Sequence, residues 1–129
     1  MLDVTAAVII NKNQEVFIAQ RNKPQELAGK WEFSGGKIEE NEVPKEGLNR
    51  EIKEEFGVVI RIDRFMVESV YQYDFGKVRI LAYLAEIDSG EIEVREHNDA
   101  KWVSVGELDN CDFVPADLKI VNKIKEELN

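Results

Sequence analysis

Arg50, Glu51, Glu54 and Glu55 fall within six residues of one another. Carboxylates this dense form either a solvated face or a set of oxygen donors for a hard divalent cation, and Mg2+ favours carboxylates used together with substrate phosphates. Just upstream, Gly35 and Gly36 let backbone come close to a ligand, and Lys37 adds a point charge suited to phosphate. A glycine pair alone is more often just a turn. Its weight here comes from its fixed distance to the glutamates.

Those glutamates need an element to hold them. Pro44 suits a first helical turn and Gly57 a C′ position, which predicts a helix over 44–56. At about 100° per residue, Leu48, Ile52 and Phe56 form an apolar stripe, and Glu46, Asn49 and Lys53 face solvent. Glu51, Glu54 and Glu55 lie between, with Glu55 bordering the stripe. Gly47 sits in the carboxylate sector at a cost of about 1 kcal/mol relative to alanine, tolerable where a group must approach the backbone. Helix geometry alone slightly favours the solvated face. Against it, Glu51 and Glu55 are like charges at i, i+4, and Arg50, at i, i+4 from Glu54, neutralises only part of the cluster. Val43 stands where a Ser or Thr cap is expected, so the helix start lacks a side-chain acceptor, for which Pro44 partly compensates.

The other elements follow from pattern. "VTAAVII", "NKNQ" and "EVFIAQR" read as two strands joined by a polar turn. Further strands are predicted at about 58–75, 77–87 and "AKWVSV", and Leu118, Val121, Ile124 and Leu128 mark a closing helix. Strands outnumber the helices that flank them, which gives an α/β or α+β sandwich with a mixed sheet. The length of 129 residues suits a single domain over 1–129. No apolar run approaches the roughly 18 residues of a membrane helix. The N-terminal "MLDVTAAVII" lacks the basic start of a secretory signal, and the single cysteine, Cys111, leaves no intrachain disulfide or cysteine-cluster zinc site. The expected location is therefore cytoplasmic, with no membrane partner. A net charge of −9 argues against binding a nucleic-acid polymer. It does not exclude a small anionic ligand, because a bound divalent cation reverses the local sign.

Gly36, five residues, Glu42, seven residues, then "REIKEEFGV" from Arg50 to Val58 resembles the Nudix box, here spanning 36–58. "VTAAVII", "VFIAQR", "WEFSGGKIE" and "FVPAD" extend the resemblance over nearly the whole chain, to the MutT-like and CTP pyrophosphohydrolase-like branch. The resemblance implies an α/β/α sandwich with a central mixed sheet, the box forming loop–helix–loop. It implies Mg2+-dependent hydrolysis, with Mn2+ able to substitute, of a (d)NTP to (d)NMP and pyrophosphate, in a monomer or homodimer. Carried over by position, Glu54 and Glu55 match metal ligands, Glu51 a ligand or general base, and the carbonyl of Gly35 a backbone ligand. Arg50 matches an arginine that orients a box glutamate, and Glu42 its structural partner; Gly36 and Gly57 complete the box framework. Glu96, before "HNDAKW", matches a further metal-binding or catalytic glutamate. One departure is Ser34, where related chains often carry proline; it alters loop stiffness more than chemistry.

Substrate choice is read mainly from "FVPAD". In MutT-like proteins the residue after Pro-Ala contacts the base edge, and here it is Asp117. The 8-oxoguanine-selective form uses Asn, which accepts and donates at once, whereas an ionised Asp only accepts. Asp117 therefore suits an exocyclic amino group such as cytosine N4 and faces guanine O6 only when protonated; it also fits as an N-cap of the last helix. Phe33 and Phe75 are candidates to stack a base, though core packing is the commoner fate of either, and Arg21 a candidate to contact phosphate or sugar. Both 8-oxo-dGTP and a cytidine nucleotide stay open as substrates. Other readings are hydrolysis of a dinucleoside polyphosphate, for which Tyr73 is suitably placed, or of another nucleoside-diphosphate derivative, and a non-catalytic module that senses nucleotides. His97 and Cys111 are assigned no role.

Overall fold

A computed structural model describes residues 1–128; Asn129, the last residue of the expected domain, lies outside the described residues. The elements in chain order are β1 (Leu2–Ile9), β2 (Glu15–Gln20), β3 (Trp31–Glu32), β4 (Gly35–Lys37), α1 (Pro44–Phe56), β5 (Val59–Tyr73), β6 (Gly76–Ser89), β7 (Asp99–Ser104) and α2 (Leu118–Leu128). Short 3-10 turns cover Val105–Asn110 and Pro115–Asp117. Four strands make a mixed sheet in the order β4-β1-β6-β5, in which β1 and β6 are parallel and the other pairs antiparallel. The strands expected near 15–21 and 100–105 leave it to form a second, antiparallel sheet, β3-β2-β7. The two- and three-residue strands β3 and β4 carry no periodic signal of their own, yet they place "WEFSGGK" between the sheets.

Strand β1 explains how the layers stack. Successive side chains alternate across a strand, and in β1 both faces are buried. Ala6 and Val8 join a core with Ile18, Ile80, Ile120 and Ile124, while Ala7 and Ile9 join a second core with Leu48, Ile52 and Phe56. Helices α1 and α2 thus cover opposite faces of the mixed sheet, the expected sandwich. A strand covered on both sides reads as a continuous apolar run, which is how "TAAVII" appears.

Helix α1 has the predicted bounds. Its stripe of Leu48, Ile52 and Phe56 is fully buried, Gly57 closes it at φ 73°, and no side chain caps its start. Two expectations fail. Asn49 does not face solvent: it donates to the Ile60 carbonyl at 2.9 Å and accepts the Ile60 amide at 3.2 Å, pinning α1 to β5. Leu118 is half exposed, because Ile120, four residues before Ile124, takes the buried face instead. No helix among the described residues is long and apolar enough to cross a membrane.

Candidate active site

A cavity of about 260 Å³ opens where the two sheets, α1 and the 3-10 turn at Pro115–Asp117 meet. Its lining combines the carboxylates Glu32, Glu55 and Glu96 and the Gly35–Gly36 backbone with the aromatic rings of Phe33, Tyr73 and Phe75 and with Asp117. Of the residues singled out in the sequence, the fold brings Arg21, Phe33, Gly35, Gly36, Glu55, Phe75, Glu96 and Asp117 to this cavity. Glu51 lies against it: a Cβ added at Gly36 would sit 2.6 Å from the Glu51 carboxylate Oε2. Glu54 points outward from α1, and Lys37 is exposed and does not line the cavity. The reason for Lys37 is strand geometry. Gly36 presents its side-chain direction to Glu51, so its neighbour in β4 projects the other way.

Arg50 organises the carboxylates outside the cavity. Its guanidinium donates to Glu42 at 2.7 and 3.1 Å and to Glu54 at 3.2 Å, and lies 3.1 Å from Glu51 and 3.3 Å from Glu39. The hydrogen bond from Arg50, first among the causes, holds Glu42 below the usual carboxylate range, and the same bond raises Arg50. Glu42 also accepts the Glu39 amide at 3.1 Å, closing the loop ahead of the helix. The glycine noted in the carboxylate sector has its explanation here: a Cβ at Gly47 would lie 2.6 Å from Glu42 Oε1. The group approaching the backbone is therefore a carboxylate of the chain itself.

Glu55 has no such partner. Its Oε2 is buried without a hydrogen bond, and burial, then the charges of Glu51, Glu32, Glu96 and Glu54, push it up to about 8. Burial also raises Glu51, against the opposing pull of Arg50. Among the described residues no three acidic, histidine or cysteine side chains converge as they stand on a metal position. The donor chemistry nonetheless fits a hard cation: an orphaned buried oxygen ringed by other carboxylates is relieved by positive charge and oxygen coordination.

The aromatic lining is held by bonds that span the chain. Asp117 is buried, and its Oδ2 accepts the Phe33 amide at 2.8 Å, so this oxygen is spent on β3–β4 backbone rather than on capping α2. Burial and then the charge of Glu32 push Asp117 up to about 8, against the Phe33 bond. The preceding residue is fixed at both its backbone groups, since the Ala116 amide donates to the Tyr73 hydroxyl at 2.8 Å and its carbonyl accepts from Ser69 at 2.6 Å. Phe33 is buried and stacked on Phe113 at 5.2 Å, which makes it wall rather than platform. Phe75 is 52% exposed and stacked on Tyr73 at 4.8 Å, leaving a face open at the mouth. Arg21 lines the cavity already engaged, donating to the Glu26 carbonyl at 2.7 Å and to Glu32 at 2.8 Å.

Two residues passed over in the sequence emerge. Glu32 lines the cavity and contributes charge to both Glu55 and Asp117. His97 binds it, Nε2 to Oε2 at 2.9 Å. Their separation of 65 residues leaves no local pattern to read; the only sequence hints are the place of Glu32 inside "WEFSGG" and of His97 beside Glu96.

The chain compares closely with known proteins. The family model described as the NUDIX domain matches residues 1–124. The 8-oxo-dGTP diphosphatase of Escherichia coli K12 is 32% identical over 124 residues, covering 96% of each chain. The CTP pyrophosphohydrolase of the same organism is 29% identical over 121 residues, covering 94% of this chain and 89% of that one. The solution structure of MutT from methicillin-resistant Staphylococcus aureus 252 superposes with a TM-score of 0.79 at 36% identity, covering 98% of this chain and 96% of the other.

Proposed function

The chain belongs to the Nudix family, and from that premise we propose that it is a Mg2+-dependent pyrophosphohydrolase that splits a nucleoside triphosphate into its monophosphate and pyrophosphate. The observation that carries this reading is the orphaned, charge-crowded Oε2 of Glu55 in a cavity that aromatic rings also line. Glu55, Glu96 and the Gly35 carbonyl, with Glu51 beside them, would hold the ion, and Glu54, exposed and paired with Arg50, would join them only by turning its side chain inward. When bound, Mg2+ supplies a water of lowered pKa and offsets negative charge on the phosphate oxygens. Glu51 or Glu96 accepts the proton of the attacking water. Arg50 keeps Glu51 and Glu54 in place from behind. Lys37, exposed and not among the residues lining the cavity, is given no catalytic part in this reading.

The nucleoside end follows from the aromatic lining and Asp117. The open face of Phe75 stacks a base. With one oxygen fixed by the Phe33 amide, Asp117 reads the base edge through its other oxygen. Held near 8, that carboxyl is mostly protonated at neutral pH and donates to a carbonyl such as O6 of an oxidised guanine; once ionised it accepts from an amino group such as cytosine N4. The Tyr73 hydroxyl already accepts the Ala116 amide, which weighs against its use on a second nucleotide.

The test is incubation with Mg2+, and separately Mn2+, and each of 8-oxo-dGTP, dGTP, CTP, dCTP, ADP-ribose and a dinucleoside tetraphosphate, with assay of pyrophosphate and monophosphate. Turnover of at least one triphosphate to monophosphate and pyrophosphate is expected. No turnover would leave a nucleotide-sensing module as the better reading; turnover of ADP-ribose or the dinucleotide alone would replace the substrate class. A Glu54→Gln variant with full activity would remove Glu54 from the metal site.

A further inference from the structure

Glu96 arrives at the cavity on the segment between β6 and β7, and its own side chain makes no hydrogen bond or ion pair among the described residues. Its neighbours hold it. The Glu93 amide donates to the Phe56 carbonyl at 2.9 Å, and Arg95 donates to the Lys53 and Glu54 carbonyls at 3.3 and 3.2 Å. Asn98 binds Gln20 through its amide at 2.9 Å and through its side chain at 2.7 Å. Of these anchors, His97 alone turns into the cavity wall. Its side chain is only 7% exposed, and its ring stacks on Phe56 at 5.3 Å and 18°. Nε2 meets Glu32 at 2.9 Å, while the other Glu32 oxygen is held by Arg21 at 2.8 Å. A carboxylate only accepts, so Nε2 carries the proton. Phe56 directly follows Glu55, and His97 directly follows Glu96. The imidazole therefore ties together the backbones that carry two of the cavity's carboxylates and bonds a third.

We infer that His97, fixed by the Arg21–Glu32 pair, is a positioning residue that holds Glu96 against the Glu55 cluster and so sets the affinity of the site for its divalent ion. The inference rests on the reading of Glu96 given above. Partners behind metal-holding groups typically matter by 10–100-fold in affinity or activity.

His97→Phe keeps the ring against Phe56 and removes the hydrogen bond; His97→Gln restores a donor. Mn2+ binding to the nucleotide-free protein, read by electron paramagnetic resonance of the free ion, is measured beside kcat and KM. H97F should lower Mn2+ affinity and kcat each on the order of tenfold, with the nucleotide KM within about twofold, and H97Q should recover most of both. In a Glu96→Gln background H97F should add nothing, because residues that act as one unit are not additive. An equal cost of H97F with and without Glu96, or an H97Q as impaired as H97F at unchanged melting temperature, overturns the inference. Impaired E96Q beside a normal H97F removes the positioning role alone, whereas normal E96Q removes the reading of Glu96 beneath it. His97→Asn, too short to reach Glu32, gives the same comparison should H97F fold poorly.

Discussion

Glu55 and Asp117 line the same cavity and are both pushed up to about 8, but not by the same surroundings. Around Glu55, burial is joined by four other carboxylates, and one of its oxygens has no partner. Around Asp117, burial is joined by Glu32 alone, and one oxygen is satisfied by the Phe33 amide. A cation answers the first situation, since it cancels the crowding and coordinates the orphan oxygen. Nothing in the second calls for a cation; a carboxyl already half satisfied stays neutral and becomes a donor. On the proposed reading the two raised carboxylates would serve different tasks, Glu55 holding an ion and Asp117 reading a base, and their partner atoms are what separate them.

The largest effect is expected at Glu55. Glu55→Gln should lower turnover on the order of a hundredfold, as loss of a charge-stabilising group does, while raising the melting temperature of the metal-free protein above pH 8. A metal-free variant that melts lower than its parent would show that the carboxylate is satisfied after all. Next comes Gly36→Ala. The nearest atoms the added methyl meets all belong to the Glu51 side chain, so kcat should fall on the order of tenfold with a smaller loss of melting temperature than a backbone clash would cause. The same change at Gly35 meets the Thr5 backbone and should unfold the β1–β4 pair instead. Equal stability losses in the two would refute the distinction.

Titration sharpens the contrast further. Both groups have folded values of about 8, against ordinary values of 4.5 and 3.8. Their stabilising contribution is thus fully present below those ordinary values, falls as pH rises, and is gone above about 8. Melting temperature measured in EDTA should decline across that window. Saturating Mg2+ should remove the part due to Glu55 and leave the part due to Asp117, and Asp117→Asn with Mg2+ should flatten the rest. A decline abolished by Mg2+ alone would place both carboxyls in the ion site. The smallest effect is expected at Phe75→Ala: half exposed, it should raise KM about threefold with kcat unchanged, as loss of one stacking face does.

How much of this could be read in the chain depends on distance along it. Helix α1 was legible almost entirely, because Pro44, the Leu48–Ile52–Phe56 stripe and Gly57 are local signals, and the Arg50–Glu54 pair is a helical neighbour relation. Local reading failed where a partner arrived from elsewhere. Asn49 looked solvent-facing until Ile60 met it, and Leu118 fitted a stripe that Ile120 displaced. Lys37 does not line the cavity, because of the alternation of a three-residue strand too short to announce itself. Two of the cavity's long-range bonds, Glu32 to His97 and Phe33 to Asp117, span 65 and 84 residues. Each depends on the second sheet, whose separation from the first has no periodic signature.

The grip of Arg50 on Glu39, Glu42, Glu51 and Glu54 has a consequence for how the protein comes into being. Small metal domains whose ligands repel one another remain unfolded until the ion arrives. Here an internal cation stands in for the external one, so the carboxylate helix assembles on the chain's own charge. Assembly should thereby depend little on ion supply: α1 is expected to keep its helical signal in EDTA, with only the crowding at Glu55 left for the ion to relieve, and activity should return on adding the ion without a refolding lag.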